Sequence, residues 1–155
     1  MTLLSRKLDY SLLILCYLHH KTTGACAREV ADYFHLSRPF VANLLKDLCH
    51  KGFVASHRGV RGGYALAPAA AEATLADVLD ALEEKRFRLA ECNQDQPEQC
   101  CVLAVTCPIR VPIEEVHRRL RNLLEDVRLS DLFHTPDPVV VGVSRCRLEA
   151  EATSP

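Results

Sequence analysis

Residues 26–66 constrain the fold more than any other part of the chain. Cys26-Ala27-Arg28-Glu29-Val30-Ala31-Asp32-Tyr33-Phe34 places Val30, Ala31 and Phe34 on one side of a short helix. His35-Leu36-Ser37 breaks it, with Ser37 positioned to cap the next helix and Pro39 tolerated in that helix's first turn. The second helix is predicted from Arg38 to about Lys51, with Val41, Leu44, Leu45 and Leu48 as its apolar face. Gly52 ends it. Phe53–Ser56 then reads as a strand and Tyr64-Ala65-Leu66 as its return, with Gly62-Gly63 expected to supply positive backbone dihedrals in the turn. Two short helices across a three-residue turn, followed at once by a hairpin, predict a winged helix-turn-helix. Taken alone, the two helices would equally suit an ordinary helical hairpin with a solvated face; the hairpin after them argues against that.

The outward residues of this unit are basic or polar. Arg38, Pro39, Ala42, Asn43 and Lys46 lie opposite the apolar face of the second helix, and Arg58 and Arg61 stand at the hairpin tip. Arginines on a narrow projection suit a minor groove, and Asn43 has the donor and acceptor that match adenine's major-groove edge. The plain alternative for Arg58 and Arg61 is a solvated turn. The formal net charge of −1 hides an asymmetry: residues 1–66 hold nine Lys/Arg against four Asp/Glu, and the remainder ten against sixteen. A basic half beside an acidic half fits a chain that meets nucleic acid with one end only.

Before this unit, Ser5 to His20 is predicted as a helix, with Ser5 as its N-cap and apolar residues at 8, 12, 15 and 16. Asp9 near its start is either a favourable charge at the positive helix end or a ligand reaching another subunit. After the unit, Pro68 to Ala73 connects to a helix capped by Thr74 with Asp77 three positions on, ending near Arg86. A long helix is predicted from Pro112 to about Leu129, its stripe Ile113, Val116, Leu120, Leu123, Leu124 and Val127, with Glu114–Arg118 and Glu115–Arg119 pairs on the wet side. The stripe suggests a homodimer seam; the alternative is packing on its own domain. The expected divisions are 1–86 for the winged unit, 87–111 for a cysteine-rich loop, 112–133 for the dimerisation helix and 134–155 for a tail. The fold class is therefore mainly α with a small β-hairpin.

The loop carries Cys92, Cys100, Cys101 and Cys107, four of the chain's eight cysteines within sixteen residues. Thiolates are soft metal ligands and respond to oxidants. No secretory signal is evident, and the apolar run Leu12–Leu18 is seven residues long, too short to span a bilayer. The expected setting is the cytoplasm, without a membrane, where a disulfide framework explains eight cysteines poorly. Metal ligation or redox sensing gains accordingly.

Several segments together resemble a known family. Asp9-Tyr10-Ser11-Leu12 looks like its start. Leu36-Ser37 with Phe40 and Leu44-Leu45-Lys46-Asp47-Leu48 resembles its recognition helix. Arg58-Gly59-Val60-Arg61-Gly62-Gly63-Tyr64-Ala65-Leu66 resembles its wing, and Thr74-Leu75-Ala76-Asp77-Val78 its next helix. With the cysteine loop and the closing Leu129-Ser130-Asp131-Leu132-Phe133, residues 3–133 are similar to the IscR/NsrR superfamily of bacterial iron–sulfur transcriptional regulators.

The resemblance implies a homodimer on a palindromic double-stranded operator. DNA contacts would come from Arg38, Pro39, Phe40, Ala42, Asn43, Lys46, Arg58, Arg61, Gly62, Gly63 and Tyr64. It also implies an iron–sulfur cluster held by three loop cysteines and a fourth ligand. The family spaces its cysteines about five residues apart. Five residues separate Cys101 from Cys107, but seven separate Cys92 from Cys100 and eight separate it from Cys101. Cys92, Cys101 and Cys107 are the favoured ligands, with Cys100 as substitute. The IscR branch ligates a 2Fe–2S cluster with a histidine three residues past the last cysteine; Arg110 stands there instead. The NsrR branch completes a 4Fe–4S site with a first-helix aspartate of the partner, where Asp9 matches, so 4Fe–4S is preferred.

The expected function is a DNA-binding repressor controlled by a cluster that senses redox state, nitric oxide or iron. A winged-helix regulator with a zinc or thiol–disulfide switch is the alternative. An adaptor that contacts only proteins is the further option. No Cys-x-x-Cys, phosphate loop, dinucleotide fingerprint or catalytic triad points to an enzyme.

Overall fold

The computed structural model describes residues 5–57, 59, 62–83, 88–90, 101–103 and 105–134. Helix α1 (Arg6–His20) starts at Ser5, whose Oγ accepts the Leu8 N–H at 3.2 Å, as expected of an N-cap. The Ser5 hydroxyl also donates to the Glu83 carboxylate. Leu8, Ser11, Ile14, Leu15 and Leu18 form its buried face. Leu12 and Cys16, expected inside, are only half-buried, because the buried row follows the 3.6-residue period through 8, 11, 15 and 18.

Helices α2 (Ala27–Phe34) and α3 (Arg38–His50) form the helix-turn-helix. The chain reverses at His35, which takes the left-handed conformation at φ 54°. Ser37 sits at the α3 N-cap, yet its hydroxyl makes no capping bond; its carbonyl accepts the Val41 N–H at 3.1 Å. Val41, Leu44, Leu45 and Leu48 are buried, as their spacing predicts.

Strands β1 (Val54–His57) and β2 (Gly63–Leu66) pair antiparallel, with Val54 opposite Leu66 and His57 opposite Gly63. A third backbone segment joins them. Ala25, just before α2, exchanges hydrogen bonds with Tyr64 at 2.9 and 2.8 Å, so the wing is tied to the α1–α2 turn as well as to β1.

The glycine expectation needs correcting. Among described glycines, positive φ occurs at Gly24, Gly52 and Gly59, not at Gly62 or Gly63. Those two are required by close approach. A Cβ on Gly62 would lie 2.6 Å from the His57 carbonyl oxygen, and one on Gly63 would lie 2.7 Å from that of Ala25.

A short 3-10 turn (Pro68–Glu72) leads to α4 (Leu75–Leu82). Thr74 and Asp77 form the full reciprocal capping box. The helix stops at Leu82 rather than near Arg86, because Glu83 is extended; residues 84–87 lie outside the described set. Helix α5 (Arg110–Asp126) begins two residues before Pro112, since the first turn's N–H groups lack helical partners anyway. It ends before Leu129 because Val127 turns extended: its carbonyl accepts the Leu75 N–H at 2.8 Å, and Leu129 N–H reaches the Ala73 carbonyl at 2.9 Å. Leu129–Phe133 is a separate short helix, α6.

One core serves all of this. Leu8, Ile14, Leu45, Leu48, Val78 and Leu79 are joined in it by Leu129 and Phe133 of α6. The C-terminal helices are thus pinned in the second half of α5 and just beyond it. Arg121 grips Asp80 of α4 with two bonds of 2.8 and 2.6 Å, and α6 buries into the winged unit. Along its whole length α5 has no fully buried residue. Val116 is 46% exposed and Leu123 58%, while Ile113, Leu120, Leu124 and Val127 are half-buried, so its stripe lies partly open.

Candidate nucleic-acid interface and cysteine loop

The α3 residues expected to read DNA divide in two. Arg38, Pro39, Asn43 and Lys46 are exposed and Ala42 is half-buried. Phe40 faces the other way: it is half-buried against Tyr10, ring centroids 5.3 Å apart and nearly perpendicular. Its ring anchors α3 to α1, as an aromatic side chain with apolar neighbours within reach does. Arg38 meets Asp32 at 3.3 Å, with both side chains mostly exposed. Such a pair is worth at most about 1 kcal/mol, so the guanidinium is available to a phosphate or a base.

Lys7 holds Asp47 at 2.9 Å, tying α1 to the outer edge of α3. The Asp47 carboxyl is held below its usual range, mainly by the bond from Lys7.

On the wing, Gly62, Gly63 and Tyr64 are half-buried, and Tyr64 acts through its backbone, bridging Ala25. Arg58 and Arg61 lie outside the described residues. A polar cleft of about 400 Å³ lies where the wing meets the α1–α2 turn, lined by Lys21, Thr23, Cys26, Glu29, His57 and Tyr64 among others. Lys21 pairs closely with Glu29, and the Tyr17 hydroxyl donates to the same carboxylate at 3.3 Å. The sequence pattern held no sign of this cleft, because it depends on the Ala25–Tyr64 bridge. A lone alanine after a glycine carries no strand signal.

In the cysteine loop, Cys101 and Cys107 are free thiols and half-buried. Cys92 and Cys100 lie outside the described residues. Cys107 precedes α5 by three positions, so the loop runs straight into that helix. Asp9 is exposed on the first turn of α1. Arg110, in the position where a ligand would stand in one branch of the resembled family, is the first residue of α5. Among the described residues no three metal-ligating side chains converge; two of the four loop cysteines are not among them.

The profile of the Rrf2 family, described as iron-dependent transcriptional regulators, matches residues 4–135. The chain belongs to the Rrf2 family.

Its relatives include the putative HTH-type transcriptional regulator slr0846 of Synechocystis, 30% identical over 71% of each chain. Protein rrf2 of Nitratidesulfovibrio vulgaris is 26% identical over 88% of this chain and 87% of its own. Among solved structures, CymR, the global cysteine regulator of B. subtilis, superposes with a TM-score of 0.69 at 24% identity, covering 88% of this chain and all of that one. IscR of T. potens superposes with a TM-score of 0.60 at 24% identity, over 83% and 84% of the two chains. These likenesses show the winged-helix fold; family membership makes this Rrf2 protein a DNA-binding transcriptional regulator. Among the described residues no helix is long and apolar enough to cross a membrane.

Proposed function

We propose that this Rrf2 protein is a homodimeric repressor that binds a palindromic operator, its affinity set by an iron–sulfur cluster in the cysteine loop. The observation that carries the proposal is the position of Cys101 and Cys107: free, half-buried thiols on a segment that continues directly into α5. The donor chemistry fits, because thiolate sulfur is the usual ligand of such clusters. Cys92, Cys101 and Cys107 would hold it, with Cys100 as substitute and the partner subunit's Asp9 as fourth ligand. That ligand set favours 4Fe–4S over 2Fe–2S. The bound group would supply a centre that reacts with oxidants and nitric oxide.

The rest is done by the chain. Helix α5 leaves Val116 and Leu123 of its apolar stripe exposed, and two such helices facing each other would bury them. A change in the loop shifts the start of α5, and pairing of the two α5 helices sets the separation of the two α3 helices. Operator affinity depends on that separation. Arg38, Pro39, Ala42 and Asn43 would read bases, while Lys46, Arg58 and Arg61 would meet phosphates and the minor groove.

A zinc or thiol–disulfide switch is the second reading, favoured by the adjacent Cys100-Cys101 pair near Cys107. Anaerobic reconstitution with iron and sulfide separates the two. The cluster reading expects brown protein, with iron and acid-labile sulfide counted per chain. Zinc without labile sulfide, or colourless protein, supports the second reading and overturns the first.

A further inference from the structure

A carboxylate stands at the DNA-reading end of a basic unit, where it works against binding a polyanion. Residues 1–66 hold four acidic residues. Glu29 pairs with Lys21, and Asp47 with Lys7. Asp32 instead reaches the first residue of α3: Arg38 Nη2 donates to its Oδ1 at 3.3 Å. His35, in the left-handed conformation, folds the chain so that the end of α2 stands beside the start of α3. Arg28 lies four positions before Asp32 on α2, where helix spacing offers a partner. Among the described residues, however, the ion pair of Asp32 is with Arg38. The two side chains are 57% and 62% exposed, so stability does not explain the pair.

What the bond changes is charge and aim. A guanidinium presents a rigid, planar fork of donors, and one bond to Asp32 leaves the rest of the fork free. Together the two side chains carry no net charge, and a DNA phosphate arriving there meets like charge from Asp32. A base edge brings no such penalty. Guanine offers two acceptors in the major groove, O6 and N7, which match two N–H groups of the fork.

We infer that Asp32 is a positioning residue that withholds Arg38 from phosphate and presents it to a guanine in each half of the operator. The inference rests on base reading by α3 as proposed above. With the carboxylate beside it, Arg38 reads guanine; without it, Arg38 becomes one more phosphate contact. Asp32 thereby lowers affinity for DNA in general and raises discrimination between sequences.

Full-length parent, D32N and R38Q proteins, each selected against a randomised duplex library, test this. The parent's selected sites are expected to carry a guanine in each half-site that R38Q no longer requires and D32N requires less strictly. In the parent's selected duplex, 7-deazaguanine at that position removes the N7 acceptor. It should weaken the parent at least about fivefold, the low end of what such a contact discriminates, and D32N less than about twofold. D32N should bind unrelated duplex more tightly than the parent does. Its log–log salt dependence there should steepen by about one unit per subunit, as one more phosphate contact requires. Damage to the fold would not tighten binding, and D32N should melt with the parent. Selected sites without the shared guanine, R38Q keeping it, or D32N holding it as strictly as the parent overturns the inference while leaving DNA reading by α3 standing. So does D32N binding unrelated duplex no more tightly. A parent that selects no sequence overturns that reading and the inference together.

Discussion

Replacing Gly63 by alanine tests the account of the wing at a single atom. The added Cβ would lie 2.7 Å from the Ala25 carbonyl oxygen and 2.9 Å from its carbon. Both are backbone atoms, so no side-chain rotation relieves the clash; Ala25 and β2 must separate. Separation breaks the two bonds between Ala25 and Tyr64, at 2.9 and 2.8 Å. At about 0.5–1.5 kcal/mol each, the loss is roughly 1–3 kcal/mol. For a chain of this size that is a fall in Tm of about 2–12 °C, read by circular dichroism.

Operator affinity should fall in the same variant, because the bridge is what fixes the wing against α2. Gly52 offers the contrast: its φ is +81° but nothing lies within 4 Å of a Cβ there. Alanine at 52 should cost about 1 kcal/mol of backbone strain and leave DNA binding alone. If Gly63→Ala melts within 1 °C of the parent and binds DNA equally well, the close-approach reasoning is wrong.

Other expectations can be checked with the same equipment. Asp80→Ala removes both bonds to Arg121; because the pair is about one-third exposed, the loss should be near 1 kcal/mol and should shrink in high salt. Ser11 is fully buried and its hydroxyl has no hydrogen-bond partner, so Ser11→Ala should be neutral or raise stability by up to about 1 kcal/mol in denaturant titration.

His19 packs against Phe133 at 5.2 Å and against His20 and His134, and its pKa is lowered by burial first and by the two neighbouring histidines next. The unfolded chain therefore takes up a proton before the folded one does. Stability should be full above the ordinary histidine range and fall as pH drops from about 7 towards 5. His19→Gln should flatten that slope.

Legibility in the sequence followed how local each signal was. The helix-turn-helix, the Ser5 cap and the Thr74–Asp77 box each depend on residues a few positions apart, and they stand as the spacing predicts. The apolar face of α3 does too. Contacts between distant segments were not legible. The Ala25 bridge, the return of Leu129 and Phe133 to the winged-unit core, and the Arg121–Asp80 clamp join segments 39 to 121 positions apart in the chain. The pairs on α5 show the limit within one helix: Glu115 holds Arg119 as its spacing predicts, but it also takes Arg118, which the spacing pairs with Glu114. Gly62-Gly63 stand at a tight point of the wing, but close backbone approach and not positive φ is what requires them. Pattern shows that a residue matters before it shows which neighbour makes it matter.

The central claim is that the cysteine loop governs DNA reading by α3 and the wing. The most direct measurement is operator affinity of anaerobically reconstituted parent and Cys107→Ser proteins, side by side, before and after nitric oxide. The account predicts that the parent's affinity changes at least about tenfold, roughly 1.4 kcal/mol, while Cys107→Ser binds equally before and after. Equal affinities for the parent in both states would contradict it.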